Sequence, residues 1–150
     1  MKPGKKLVIK VVGFIIQPNE KAENEILGFL SVPGVPYRFV GGNIDPGEAI
    51  EEALYREIEE ESGLKGLRIV RKLGIQHYYK EFIDANVQRH DYLLMPTVKL
   101  PERWEHTGTG GGGDDGLVFK YKWLGKEEHG LIDPEFRDYL NKDYISELFN

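Results

Sequence analysis

Residues 7–17, LVIKVVGFIIQ, are almost continuously apolar and rich in Val and Ile, which predicts a strand. A polar, turn-forming stretch, PNEKAEN, follows, and ILGFLSV reads as a second strand that stops at PGVP. YRFV alternates briefly and ends at Gly41-Gly42. From about Pro46 to Ser62 the residues are helix formers, with Pro46 and Gly47 punctuating the entry and Gly63 suited to end the helix. LRIVRKLGIQHYYKEF and VQRHDYLLMPTVKL predict a long antiparallel strand pair. PERWEHTGTGGGGDDG reads as a glycine-rich loop, and LVFKYKWL alternates cleanly as another strand. In PEFRDYLNKDYISELF, Phe136, Leu140, Tyr144 and Leu148 recur at helical spacing behind a proline that suits the first helical position, which predicts a C-terminal helix. Strands dominate, and neither a repeat nor a long linker divides the chain. The pattern therefore predicts one domain over residues 1–150, of α/β (α+β) class, an α/β/α sandwich with a mixed sheet.

Composition narrows the function classes. The chain has 150 residues, 40% hydrophobic and 30% charged, enough apolar content for a sizeable core. Its formal net charge of -5 argues against partners that need a basic field, such as duplex nucleic acid or an anionic membrane. A small phosphorylated ligand held through metal ions stays compatible with that charge. With no cysteine, any metal site must use oxygen or imidazole ligands. The basic start MKPGKK before an apolar run has the outline of a signal peptide. Lys10 interrupts the run, however, and no small-residue cleavage pattern follows. No apolar run approaches the length of a membrane span, so a soluble, cytoplasmic protein is expected.

The helix predicted near residues 48–64 carries an unusual charge pattern. REIEEESGL, from Arg56 to Leu64, places Glu57, Glu59, Glu60 and Glu61 within five positions. At about 100° per residue, Ile50, Leu54 and Leu64 define an inward stripe, with Ile58 at its edge. Glu57 and Glu61 fall inside this stripe, Glu60 lies beside it, and Glu48, Glu52 and Glu59 point toward solvent. A merely solvated acidic face would keep its carboxylates opposite the apolar stripe. Carboxylates removed from water cost several kcal/mol unless paired, and Arg56 is the one basic residue of the helix. Either their pKa values rise or a cation occupies the cluster. The i, i+3, i+4 spacing of Glu57, Glu60 and Glu61 puts three hard oxygen ligands within reach of one point, an arrangement that suits Mg²⁺ or Mn²⁺. An acidic protein-contact patch is a third reading, which the inward placement disfavours.

The longer stretch GNIDPGEAIEEALYREIEEESGL, residues 42–64, resembles the signature of the Nudix hydrolases at every specified position: Gly42, Glu48, Arg56, Glu57, Ile58, Glu60, Glu61, Gly63 and Leu64. The motif covers about a sixth of the chain, and the order of elements around it also resembles that family's fold. One departure is Val40, where many members carry proline before the two glycines. The resemblance implies a hydrolase that uses Mg²⁺, with Mn²⁺ as a substitute, to cleave the diphosphate linkage of a nucleoside diphosphate derivative by water attack on phosphorus. It implies that Glu57, Glu60, Glu61 and the Gly41 carbonyl hold metal, and that Glu48 acts behind them or near a further ion. It also implies that Arg56 orients the carboxylates. Glu60 or Glu61 is the helix candidate for the general base, and Glu105, Asp114 and Asp115 are the loop candidates. The small-molecule substrate is expected to be a nucleoside triphosphate, a nucleotide sugar or a dinucleoside polyphosphate. The alternative is a Nudix-fold nucleotide-binding or sensor protein without turnover.

Several further residues are candidates of a weaker kind. Tyr37, Phe39, Tyr78, Tyr79 and Trp104 are candidates for base stacking, against an ordinary place in the core. His77, His90 and His106 are candidate ligands or acid–base groups, against ordinary core or surface roles. GTGGGGDDG lacks the Gly-Lys-Ser/Thr ending of a phosphate loop and reads as a lid or as a plain connection. The apolar stripe of the C-terminal segment serves packing or a homodimer face.

Overall fold

The computed structural model describes residues 1–31, 33–109 and 116–149. Among them lie seven strands and one α-helix: β1 Leu7–Pro18, β2 Asn24–Leu30, β3 Gly41–Asn43, α1 Ile50–Ser62, β4 Arg68–Lys80, β5 Ala85–Met95, β6 Arg103–Thr107 and β7 Val118–Leu124. The strands form one sheet in the order β4-β5-β1-β2-β7-β6, with β3 paired to β1 off that path. β1 is the hub. It pairs in parallel with β5 over Leu7 to Ile15, and antiparallel with β3 through Lys10 to Val12 and with β2 through Ile16 to Pro18. All other pairings are antiparallel, so the sheet is mixed, as the sequence predicts.

Side chains alternate across β1 and feed two cores. Val11 and Ile15 join Leu27, Phe29, Val40, Leu54, Ile58 and Tyr92 in the core beneath α1. Val12, Phe14 and Ile16 join Leu73, Leu93, Ile132, Phe136, Tyr139, Ile145 and Leu148 in a second core on the other face. The molecule is thus an α/β sandwich with few helices.

The second outer layer differs from the C-terminal helix that the sequence predicts. Residues 134–149 run as short 3₁₀ turns at Pro134–Phe136 and Ser146–Leu148. Local side chains compete with helical bonding there: Asp133 Oδ1 accepts the Glu135 N–H and Asn141 Oδ1 accepts the Asp143 N–H, each at 2.9 Å. Phe136, Tyr139 and Leu148 are buried nonetheless, while Tyr144 is exposed. YRFV makes only isolated bridges, at Tyr37 and Arg38. β3 lies at Gly41-Gly42, where YRFV is expected to end, and β6 in the stretch expected to be a loop. Among the described residues no helix is long and apolar enough to cross a membrane.

Candidate active site

α1 begins at Ile50, later than expected, because Gly47 turns the chain with φ +80° before it. The Ala49 N–H donates to Glu52 Oε1 at 3.1 Å across the first turn. Gly63, at φ +78°, ends the helix with its N–H on the Glu59 carbonyl (2.8 Å), a left-handed position that disfavours other residues. The buried arc runs through Ala53, Leu54, Ile58, Glu61 and Ser62. Ile58 therefore sits inside the arc rather than at its edge. Glu61 is buried as the wheel predicts, and Glu57 and Glu60 are half-buried beside it.

Two contacts fix these carboxylates. Glu61 Oε1 accepts the Gly41 N–H of β3 at 2.9 Å, which ties the helix to the strand that follows Val40. Arg56 is the hub of the rest. Its guanidinium donates to Glu48 (2.7 and 2.9 Å), Glu57 (2.8 Å), Glu60 (3.1 Å) and the Asn43 carbonyl (2.9 Å), with Asp45 at 3.5 Å. Glu48 is thereby corrected: it does not point to solvent. It lies before the helix, where the helical wheel does not apply, and folds back onto Arg56. The hydrogen bonds from Arg56, with one from the Asp45 N–H, hold the Glu48 carboxyl down at about 2. Its bonds to Glu48, and then to Glu57, push the Arg56 guanidinium up.

The donor set fits a hard divalent cation. Glu57, Glu60, Glu61 and the Gly41 carbonyl offer oxygen alone. Glycine at 42 is what admits Glu57, since a Cβ there would collide with its carboxylate. Among the described residues, no three acidic or histidine side chains converge on one ion position as placed. Glu57 and Glu60 are turned to the Arg56 guanidinium instead.

A cleft of about 280 Å³ opens beside Gly41, Gly42 and Glu61. Lys10, Arg38, Phe39, Lys80, Arg89, Glu135 and Phe82 are among its walls. Of the aromatic candidates, Phe39 reaches this cleft but is buried in the second core. Tyr79 donates its hydroxyl to Asp84, away from the cleft. Tyr78 donates to Glu135 at 2.6 Å, and burial raises its pKa. Trp104 stacks on Tyr121 at 5.0 Å and donates to the Ser62 carbonyl, which locks the end of α1 to the sheet. Tyr37 bonds through its backbone to Leu131 and Asp133. Glu105 is exposed on β6, and Asp114 and Asp115 lie outside the described residues. His106 donates from Nε2 to the Glu60 carbonyl at 3.1 Å and so positions the helix end. His90 contacts Lys72 and Gln88, burial lowers its pKa, and exposed His77 contacts Gln88.

The cleft's basic residues and Phe82 are missing from the sequence prediction. Lys10 gave a signal as the one charge in an apolar strand. Arg38, Lys80 and Arg89 gave none, because they come from separate segments. Phe82, at the tip between β4 and β5, is 92% exposed, a placement that no periodicity discloses.

A mixed sheet packed on one acidic helix, with Glu48, Glu57 and Glu60 gathered on Arg56 and Glu61 lining a cleft, defines the α/β sandwich of the Nudix hydrolases. The NUDIX domain family model matches residues 15–147, and the chain belongs to that family, a hydrolase acting on acid anhydrides. Solved structures share the fold. A NUDIX hydrolase from Nitrosomonas europaea aligns at TM-score 0.59 and 19% identity, covering 95% of this chain and 88% of that one. A MutT protein from Methanosarcina mazei Go1 aligns at 0.60 and 19%, covering 91% and 92%. The C. elegans Ap4A hydrolase aligns at 0.52 and 19%, covering 79% and 80%. No curated protein sequence matches the chain.

Proposed function

We propose that the chain hydrolyses the pyrophosphate linkage of a nucleoside diphosphate derivative in a Mg²⁺-dependent reaction, with Mn²⁺ able to substitute. Nucleoside triphosphates, dinucleoside polyphosphates and nucleotide sugars are the candidate substrates. The observation that carries the reading is the Arg56 hub. One guanidinium gathers Glu48, Glu57 and Glu60, while Glu61, which lines the cleft, is anchored to the Gly41 N–H.

Glu57, Glu60, Glu61 and the Gly41 carbonyl would hold the cation. When bound, it supplies neutralisation of the diphosphate charge and a more acidic water. Arg56 holds Glu57 and Glu60 in orientation, and the paired Glu48 keeps Arg56 in place. Glu60 or Glu61 takes the proton from the attacking water. The cleft beside Gly41 and Gly42 receives the remainder of the substrate.

The test is phosphate or nucleotide release from a panel of nucleoside diphosphate derivatives with Mg²⁺, beside Glu60→Gln and Glu61→Gln variants. Loss of about 10²–10⁴-fold in kcat is expected where the substituted carboxylate serves as the base. Tight binding of a panel member with no turnover at any metal concentration would favour a nucleotide sensor instead.

A further inference from the structure

We infer that the cleft beside Glu61 is a polyphosphate subsite built from Lys10, Arg38 and Lys80. The preferred substrate then carries three or more linked phosphates rather than a diphosphate joined to a neutral sugar. This rests on the hydrolase reading above and narrows its substrate class. Lys10 comes from β1, Arg38 from the segment before β3 and Lys80 from the end of β4, yet all three line one cleft with Gly41, Gly42 and Glu61. A chain of net charge -5 has thus collected cations in the cleft that Glu61 of the acidic cluster also lines.

A purely structural ion network explains part of this wall. Arg89 is fully buried and doubly bonded to Asp91, with a further bond to the Glu135 carbonyl at 2.9 Å. Lys80 reaches both Glu135 oxygens at 3.1 Å, and the Tyr78 hydroxyl donates to the same carboxylate. Those contacts dock the Pro134–Phe136 turn on the sheet and satisfy Glu135. Burial pushes the Glu135 pKa up, but Tyr78 and Lys80 outweigh it and the net direction is down.

Lys10 and Arg38 are in excess of that requirement. Lys10 donates to neutral Asn43 Oδ1 at 2.8 Å. Arg38 lies over the Phe136 ring at 5.2 Å and reaches Glu135 only at 3.5 Å. Burial lowers the Lys10 pKa, and repulsion from Lys80 and Arg38 lowers it further against the pull of Glu135 and Glu57. Three cations facing one cleft carboxylate that contacts two of them, Glu135, repel one another in the free protein, and a multiply charged anion offsets that cost. Phosphate oxygens spaced along a chain can address all three at once, whereas a neutral sugar cannot.

Calorimetric titration with inorganic tripolyphosphate, in chelator and without divalent cation, reads the subsite independently of turnover. Wild type and a surface control, Lys21→Gln, should bind at least about tenfold more tightly than Lys10→Gln or Arg38→Gln. Wild-type affinity should also fall steeply with salt. Equal affinity in all four proteins overturns the inference. If Arg38→Gln fails the thermal-unfolding check, Lys10→Gln alone decides. With panel substrates, Lys10→Gln should raise KM for a nucleoside triphosphate about tenfold and leave KM for the matching nucleotide sugar unchanged. Hydrolysis indifferent to Lys10→Gln would sink the subsite and leave the hydrolase reading intact, while tripolyphosphate binding without hydrolysis of any panel member would do the reverse.

Discussion

Arg56 does at the residue scale what a bound cation does for carboxylates: it lets Glu48, Glu57 and Glu60 share a small, half-dry space. It touches no expected reacting atom, so its part is positioning. Arg56→Gln should lower kcat by about 10–100-fold, in line with the loss of groups that orient metal ligands. A structural change elsewhere would not alter the titration of Glu48, and this separates the two explanations. The Glu48 carboxyl, held at about 2 in the fold, lies below its ordinary 4.5, so its pairing stabilises the protein fully above about 4.5 and is lost as pH falls through about 2. Carboxyl-carbon NMR of wild type should place the Glu48 midpoint near 2, and Arg56→Gln should return it toward 4.5. An unmoved midpoint in the variant would show that Arg56 is not the clamp.

At the scale of elements, the meeting of β3 and α1 rests on two adjacent glycines that serve different ends. A Cβ at Gly41 would meet the Val11 backbone carbonyl and the Val12 backbone, which cannot yield. A Cβ at Gly42 would meet the far end of the Glu57 side chain, which can swing away. Gly41→Ala should therefore cost stability, on the order of the 1–3 kcal/mol of an overpacked site. Gly42→Ala should fold nearly as well but lose Mn²⁺ affinity, measured by electron paramagnetic resonance, together with activity. Normal Mn²⁺ affinity in Gly42→Ala would remove Glu57 from the proposed ligand set. This junction also shows what the sequence could and could not disclose. α1 was legible because its charges and apolar residues keep one period and Gly63 punctuates its end. β3 was not, being three residues with two glycines, and β6 was hidden by the glycine run after it. The C-terminal stripe had helical spacing, but apolar spacing alone does not distinguish an α-helix from 3₁₀ turns. Asp133 and Asn141 decide the matter through their own backbone contacts.

At the scale of the whole molecule, the acidic half of the site is local in sequence and the basic half is assembled by the fold. Glu57, Glu60 and Glu61 sit close together along one helix, whereas Lys10, Lys80 and Arg89 come together only when β1, β4 and β5 align, and Arg38 joins them through its bridge to Phe29 of β2. Beneath the cleft lies the Arg89–Asp91 pair, fully buried, with Arg89 also donating to the Glu135 carbonyl of the Pro134–Phe136 turn. Removing one partner strands the other charge in a low-dielectric interior, so Asp91→Asn should destabilise the protein by about 3–5 kcal/mol in urea unfolding. Replacing both, as Arg89→Met with Asp91→Leu, leaves no stranded charge and should cost much less than the sum of the single substitutions. The double variant also loses the bond from Arg89 to the Glu135 carbonyl. The turn carrying Glu135 should then loosen, and the cation wall with it, so tripolyphosphate affinity should fall even where stability recovers. A double variant that regains stability and binds tripolyphosphate as wild type does would show that the buried pair serves the core alone. Weakened binding at recovered stability would tie the buried pair to the order of the cleft it underlies.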